Sequence, residues 1–458
     1  MAGGAPNHHS TVHASSDANA NYTVPIALMA TLFFLIGFIT VLNDVLIPIM
    51  KNIFNFSEKE TWKVMLIQFS FFMAYGLLSI PGGWLVKAIG YKKGTIYSLF
   101  IVAFGLLMFY PASEYTSYGL FLFALFCFGS GLAILQVAIN PYLIALGTPE
   151  TGASRLNLGG AFNSTATFLG PILGAYVLLN ECIVSQEHRL DTVRSFYVVI
   201  GLLTIALAIS MFFIKLPKLS IENDKDEHLD GSIFQFRHLL FGSGAIFFYV
   251  GAEVVVGSLL ILYLKSDTMG NIPEKFAASL VAYFWAGAMI GRFWGSSLTK
   301  HIPTNKALAF VAAFAFVLIF LSMTDFMINH HLTVPVVNMG EHCETKEFYF
   351  GFKLLSVPFA AICLLLIGLA NSIMWPSIFP LGIARLGKYT SRGSGLMVTM
   401  VSGGALVSLL QAKIASEIGY RYSFALCLIC YGYILFFALK GYKPVKAADN
   451  AEDEIRNA

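Results

Sequence analysis

The chain has 458 residues, 57% of them hydrophobic and only 12% charged, about half the roughly 25% charge of a soluble domain. So few polar side chains cannot cover a water-facing globule of this size, whereas lipid solvates apolar ones, and a mean hydropathy of +0.71 points the same way. A formal net charge of +3 gives no basic surface for a nucleic-acid partner.

Residues 1–22 are polar, with no basic stretch leading into a cleavable apolar core. They read as a disordered cytoplasmic tail, with the first apolar run as its own insertion signal. His8, His9 and His13 belong to that tail, and no metal site is expected from them. Apolar runs follow at 24–50, 63–87, 94–111, 117–147, 155–180 and 195–215. Each approaches or exceeds the roughly 20 residues that cross a bilayer as a helix. The dense charge run KLPKLSIENDKDEHLDGSIFQFR comes next, and then six more spans at 239–264, 276–299, 306–327, 353–385, 393–417 and 420–440. The expected organisation is a six-helix bundle over 23–215, a cytoplasmic linker over 216–237, a second bundle over 238–440 and a cytoplasmic tail over 441–458. Of six cysteines, Cys127, Cys363, Cys427 and Cys430 lie in apolar runs and read as core. Cys182 and Cys343 fall in loops and are expected to stay free, with a pair as the minority alternative.

Lys and Arg in the short loops favour one side, including Lys92, Lys93, Lys218, Arg237, Lys306 and Lys388. By the positive-inside rule that side is the cytoplasm, and both termini lie there. The halves also echo each other. GWLVKAIGYKK (83–93) matches the spacing of GSSLTKHIPTNK (295–306), Pro141 and Gly147 pair with Pro376 and Gly382, and SR recurs at 154–155 and 391–392. A longer outside loop around 328–352 accounts for the change in spacing. The fold class is therefore an all-α membrane protein of 12 transmembrane helices in two pseudo-symmetric six-helix bundles.

A charge inside a span costs roughly 2.5–3.5 kcal/mol on insertion scales and usually faces a cavity. Asp44 in FITVLNDVLIPIM and Glu253 in YVGAEVVVG are the acids that qualify, and spans 1 and 7 are counterparts in the repeat. Neither has an evident basic partner in the sequence. Burial favours the neutral form of an unpaired carboxyl, so both are candidates for loading and unloading a proton. Polar side chains gather in the same spans: Asn43, Gln68, Gln136 and Asn140 four residues apart, Asn157, Asn163 and Asn371. With Trp285 and Trp375 they suit a hydroxyl-rich ligand with an apolar ring face. The plainer alternative for any one amide is glue between helices. No HExxH, GxSxG or clustered His/Asp set supports an enzyme, and no cofactor is expected.

LNDVLIPI, INPYLIALG, SRLNLGGAFNS, YVGAE, GRFWG and WPSIFPLGI together resemble the fucose–proton symporter family of the major facilitators, over about residues 25–440. The resemblance implies the major facilitator fold and proton-coupled sugar transport. It places the coupling acid at Asp44 and puts Asn43, Gln68, Asn140, Asn157 and Asn163 on matching motif positions. Two departures stand out: Gln136 occupies a position that is Glu in fucose permeases, and Glu253 stands where they have Gln. Lys87 also replaces the Asp found in many members. The resemblance leads to an expected symport of a monosaccharide of fucose, glucose or galactose type, by a monomer in the bacterial inner membrane. Sodium coupling, drug–proton antiport on the same fold and a non-transporting sugar sensor are the alternatives.

Overall fold

The computed structural model describes residues 12–14, 22–146, 152–180, 182, 185–214, 216, 219–221, 232–298, 302–345, 347–386 and 389–444. In lipid each backbone N–H and C=O must be paired within its own segment, so apolar runs of this length become helices. They are α1 (Thr23–Ile53), α2 (Leu66–Ile89), α3 (Tyr91–Leu107), α4 (Tyr118–Ala145), α5 (Gly152–Leu178) and α6 (Gln186–Phe213). The second set is α7 (Arg237–Lys265), α8 (Glu274–Leu298), α9 (Thr304–Ser322), α10 (Phe359–Asn371, then Met374–Gly382), α11 (Thr390–Thr399 with Gly403–Ile418) and α12 (Ala425–Phe436). Among the described residues eleven helices are long and apolar enough to cross a membrane, and α10, bent by 42° at its break, completes twelve. Pro48, Pro81, Pro141 and Pro171 lie inside helices, where neighbouring helices can satisfy the freed carbonyls.

The packing repeats between halves. α1 packs on α5 as α7 packs on α11; α2 on α4 as α8 on α10; α3 on α6 as α9 on α12. The halves meet through α5–α8, α2–α11 and α1–α7. Some contacts are backbone-tight. A Cβ on Gly368 would fall 1.9 Å from the Phe284 carbonyl oxygen, and one on Gly403 would fall 1.9 Å from that of Phe247. Gly90 and Gly419 close α2 and α11 at φ of 85° and 86°, where any L side chain is strained.

One expectation fails at the start of α10. The helix begins at Phe359, and residues 353–358, expected to be helical, are strand. FYFGFKLLSVP alternates aromatic and apolar residues at period two, and Pro358 can precede a helix but not continue one. This segment (β4, Phe348–Pro358) pairs antiparallel with β3 (His331–Glu341), from His331 opposite Pro358 to Glu341 opposite Phe348. A second, short pair joins β1 (Val12–Ala14) to β2 (Leu219–Ile221), inside segments read as tail and linker.

The two loop cysteines also depart from expectation. Cys182, after α5, and Cys343, at the hairpin tip, form a disulfide with Cα atoms 5.3 Å apart. A sequence separation of 161 hid the pairing, and the hairpin supplies the reach. Cys363, Cys427 and Cys430 are free and buried, as core packing requires.

If the chain is cut between residues 222 and 231, the two fragments should run as one band on a non-reducing gel and separate with reductant. The Cys343→Ser protein should separate under both conditions. Gly368→Ala and Gly403→Ala should each lower stability in detergent by about 1–3 kcal/mol, the usual cost of overpacking, read from thermal unfolding.

Candidate functional site

Asp44 sits on α1 toward the end of the bundle that carries the hairpin, and it is 4% exposed. Its Oδ1 accepts from Ser258 Oγ at 2.6 Å and from Gln68 Nε2 at 3.0 Å. Gln68 Nε2 also donates to Ser258 Oγ at 2.7 Å, which closes a triangle. All three available N–H and O–H groups of Gln68 Nε2 and Ser258 are thereby used, and Oδ1 acts only as an acceptor. Trp285 stands alongside: Asp44 Oδ2 and Trp285 Cζ2 both lie 3.4 Å from where a Cβ on Gly257 would fall. Its indole N–H is near enough to act on the carboxylate but closes no hydrogen bond. Asp44 and Gln68 belong to α1 and α2, Ser258 and Trp285 to α7 and α8, so one carboxylate joins the two halves.

Around this cluster the hairpin end is closed. Val41–Met50 of α1, Val254–Leu264 of α7 and Lys275–Ala282 of α8 are buried without interruption. Further bonds cross between halves at the rim. Asn52 Nδ2 donates to Glu274 Oε1 at 3.0 Å, and Tyr420 Oη donates to Glu58 Oε2 at 2.8 Å. Lys51 Nζ pairs with the same Glu58 at 2.5 Å. Tyr176 Oη donates to Glu341 Oε1 at 2.9 Å beside the disulfide. Toward the opposite end the uninterrupted burial stops: α8 beyond Tyr283 mixes buried with half-buried positions, and Ile290 and Phe293 are exposed.

Glu253 is not part of the Asp44 cluster, and a third expectation is overturned there. Tyr249 Oη donates to Glu253 Oε1 at 2.9 Å. Arg292, deep in α8, brings its charge to bear on Glu253 and shares Tyr249 with it. Glu253 therefore does have a basic neighbour inside the spans. Arg292 Nη1 also donates to Ser164 Oγ of α5 at 2.5 Å, a further link between halves. Tyr431, whose Oη donates to Asn371 Oδ1 at 3.0 Å, adjoins this group.

The amides divide by surroundings. Asn43 is 0% exposed and neither amide atom has a partner, and Asn371 Nδ2 and Gln68 Oε1 are also unpartnered. Buried amide atoms without partners are exceptions in folded proteins. Gln136 Nε2 donates to Tyr75 Oη at 3.0 Å, and Asn140 lies one turn on, half-buried. Asn163 instead serves packing: its Nδ2 donates to the Phe33 carbonyl at 3.1 Å, and Gly37 leaves room for its backbone. Asn157 is in α5, but its side chain lies outside the described residues. Trp375 is half-buried and stacks on Phe379 at 5.7 Å between ring centroids. Arg155 caps α4, donating from Nε to the Leu143 carbonyl at 3.0 Å and from a second nitrogen to that of Ile144. Among the described residues no His, Cys, Asp or Glu group is placed to hold a metal.

Sequence reasoning missed Ser258, Tyr249 and Arg292. A serine or tyrosine in an apolar run carries no charge signal. Arg292 was visible in GRFWG, where the motif drew attention and its positive charge did not.

A profile of the Major Facilitator Superfamily matches residues 29–337. The chain is 42% identical to a glucose/galactose transporter of Brucella abortus, covering 94% of this chain and 97% of that one. It is 30% identical to the L-fucose-proton symporter of Escherichia coli over 91% of this chain and 93% of the other. A crystal structure of the Escherichia coli fucose:proton symporter superposes with a TM-score of 0.65 at 29% identity, covering 92% and 98% of the two chains. The inward open xylose transporter of Escherichia coli shares the fold alone, with a TM-score of 0.68 at 12% identity over 95% and 100%.

Ser258→Ala should remove one of the two donors to Asp44 and weaken the closed end by about 1–3 kcal/mol. Spin labels at Lys59→Cys and Asp267→Cys, one on each half at that end, should then show a larger population at long distance.

Proposed function

The chain belongs to the Major Facilitator Superfamily, and from that premise we propose that it is a proton-coupled symporter for a monosaccharide of glucose or galactose type. The observation that carries this reading is the Asp44 triangle, a buried carboxylate whose hydrogen bonds span the two halves. Among the described residues no salt bridge reaches it. The glucose/galactose transporter and L-fucose-proton symporter relatives support a sugar, and the unpartnered amides of Asn43, Gln68 and Asn371 with the nearby indole of Trp285 suit one.

The positive side of the loops places the termini in the cytoplasm and the hairpin outside, in the bacterial inner membrane. With that orientation the closed end is the outer mouth, and this conformation is one with the outer mouth shut. An ionised Asp44 accepts from both Ser258 and Gln68 and holds the mouth shut. Opening outward exposes the carboxyl to protons and the amides to sugar. When both are bound the outer mouth recloses, and proton and sugar leave inward. Coupling holds because the singly loaded forms interconvert poorly, since only differential affinity shifts such states.

Gln68 Nε2 and Ser258 Oγ both donate to Asp44, an arrangement that suits a carboxyl exchanging a proton. Asp44 is the carboxylate whose hydrogen bonds join the two halves, whereas Glu253 is hydrogen-bonded to Tyr249 of its own helix, so we assign coupling to Asp44. The test is uptake of labelled glucose, galactose and fucose into proteoliposomes under a proton or a sodium gradient imposed separately. One sugar should accumulate under the proton gradient alone. Asp44→Asn should lower accumulation at least tenfold while sugar exchange at equal concentrations persists. Glu253→Gln should keep accumulating. Loss of accumulation in Glu253→Gln with exchange intact would move the proton to that residue, and uptake driven only by sodium would overturn proton coupling.

A further inference from the structure

The hairpin of β3 and β4 has two unlike faces. Phe348, Phe350, Phe352 and Leu354 alternate along β4 and are 57%, 63%, 66% and 70% exposed. Opposite them in register stand Glu341, Met339, Val337 and Pro335. Cross-strand partners share a face, so from Leu354–Pro335 to Phe350–Met339 this face has no charge and no polar side chain. The other face rests on the protein. Val336 and Val357 are fully buried, and Lys275 Nζ of α8 donates to Tyr349 Oη at 2.7 Å. Lys353, on that same face, holds its Nζ 4.8 Å from the Phe276 ring centroid.

An uncharged aromatic sheet face of this extent is out of place in water. The preceding chain shows what suits it. Phe310, Phe314, Val317 and Phe320 form an exposed stripe at helical spacing on α9, a membrane-spanning helix, and exposed Phe326 carries the stripe to the hairpin root. The hairpin follows this lipid-facing helix in the chain and carries the same kind of side chains on its outward face. Its depth is bounded from both sides. A two-stranded sheet has open edges, whose backbone groups cannot be left unpaired in hydrocarbon. Phe and Leu side chains can still enter the boundary between head groups and acyl chains.

The position of the hairpin adds to the case. Its base hydrogen-bonds between His330 and Phe359, at the foot of α10. Tyr283 Oη of α8 donates to the Pro335 carbonyl at 2.6 Å. Its tip is fastened beyond α8, to the other half, by Cys182–Cys343 and by Tyr176–Glu341. It thus runs along the flank of the α5–α8 seam.

We propose that the outward face of this hairpin, built on Phe350, Phe352 and Leu354, is a lipid-binding surface. It seats the hairpin in the interfacial zone of the bilayer as a strap across the seam.

The test places nitroxide labels singly at Phe350→Cys, Phe352→Cys and Leu355→Cys in the full-length protein. It is reconstituted in phosphatidylcholine and phosphatidylglycerol vesicles, with Lys59→Cys as a water-facing reference. Labels at 350 and 352 should collide with oxygen and should be shielded from a water-soluble nickel chelate at least threefold relative to 59. The label at 355, facing the protein, should be less accessible to oxygen than either. Nickel accessibility at 350 and 352 equal to that at 59 would put the face in water and overturn the proposal. Low accessibility to both reagents would mean a covering protein, such as a second copy, and would overturn it equally. The measurement reads position and not transport, so its outcome is separate from that of the uptake experiment.

Discussion

A carboxylate carried into hydrocarbon has to find its hydrogen-bond donors in the protein. At Asp44 those donors come from different halves: Gln68 from one, Ser258 from the other. That division turns a local requirement into a global one, because the halves cannot part at this end without stripping a donor from the carboxylate. The buried residues from Val41 to Met50 and from Val254 to Leu264 are the surroundings that make such a loss costly.

The two intramembrane acids have different environments and so different tasks. Asp44 is met by neutral donors, an arrangement that answers to the gain or loss of one proton. Glu253 is met by the Tyr249 hydroxyl and lies within reach of the charge of Arg292. Arg292 in turn reaches Ser164 on the other half, so Glu253 contributes to the seam through its partner. Gln136, where fucose permeases carry Glu, bonds to Tyr75 as a neutral amide. The change removes a charge from α4.

Much of the helical architecture was legible because lipid allows so few backbone solutions. Apolar runs of sufficient length had to be helices, and repeated spacing between halves exposed the pseudo-symmetry. Asp44 and Gln68 were legible for the same reason: a charged or amide side chain stands out where all else is hydrocarbon. Ser258 was not, since a serine in a membrane helix is ordinarily satisfied by a carbonyl one turn earlier, and its partner is 214 positions away. The hairpin was misread at 353–358 because an apolar run without its period carries no information on helix or strand. Read at period two, Phe348, Phe350, Phe352 and Leu354 point to a strand. The disulfide depended on that hairpin and was hidden with it.

The disulfide sets a constraint on any opening at this end. Cys182 follows α5 and Cys343 caps a hairpin rooted beside α10, so the halves are joined covalently where the Asp44 triangle holds them shut. A rigid bridge there would forbid alternation. The bridge is not rigid, because it ends on a hairpin whose contacts are unequal. At the tip, a covalent bond and Tyr176–Glu341 tie it to α5. Along its length, the hydrogen bonds from Lys275 and Tyr283 tie it to α8, and such bonds are worth about 1–3 kcal/mol each. The covalent end is the stronger, so when the halves part the tip has to travel with α5 and the bonds to α8 have to give. The strap then limits how far the mouth opens without deciding whether it opens, and that decision stays with the carboxylate beneath it.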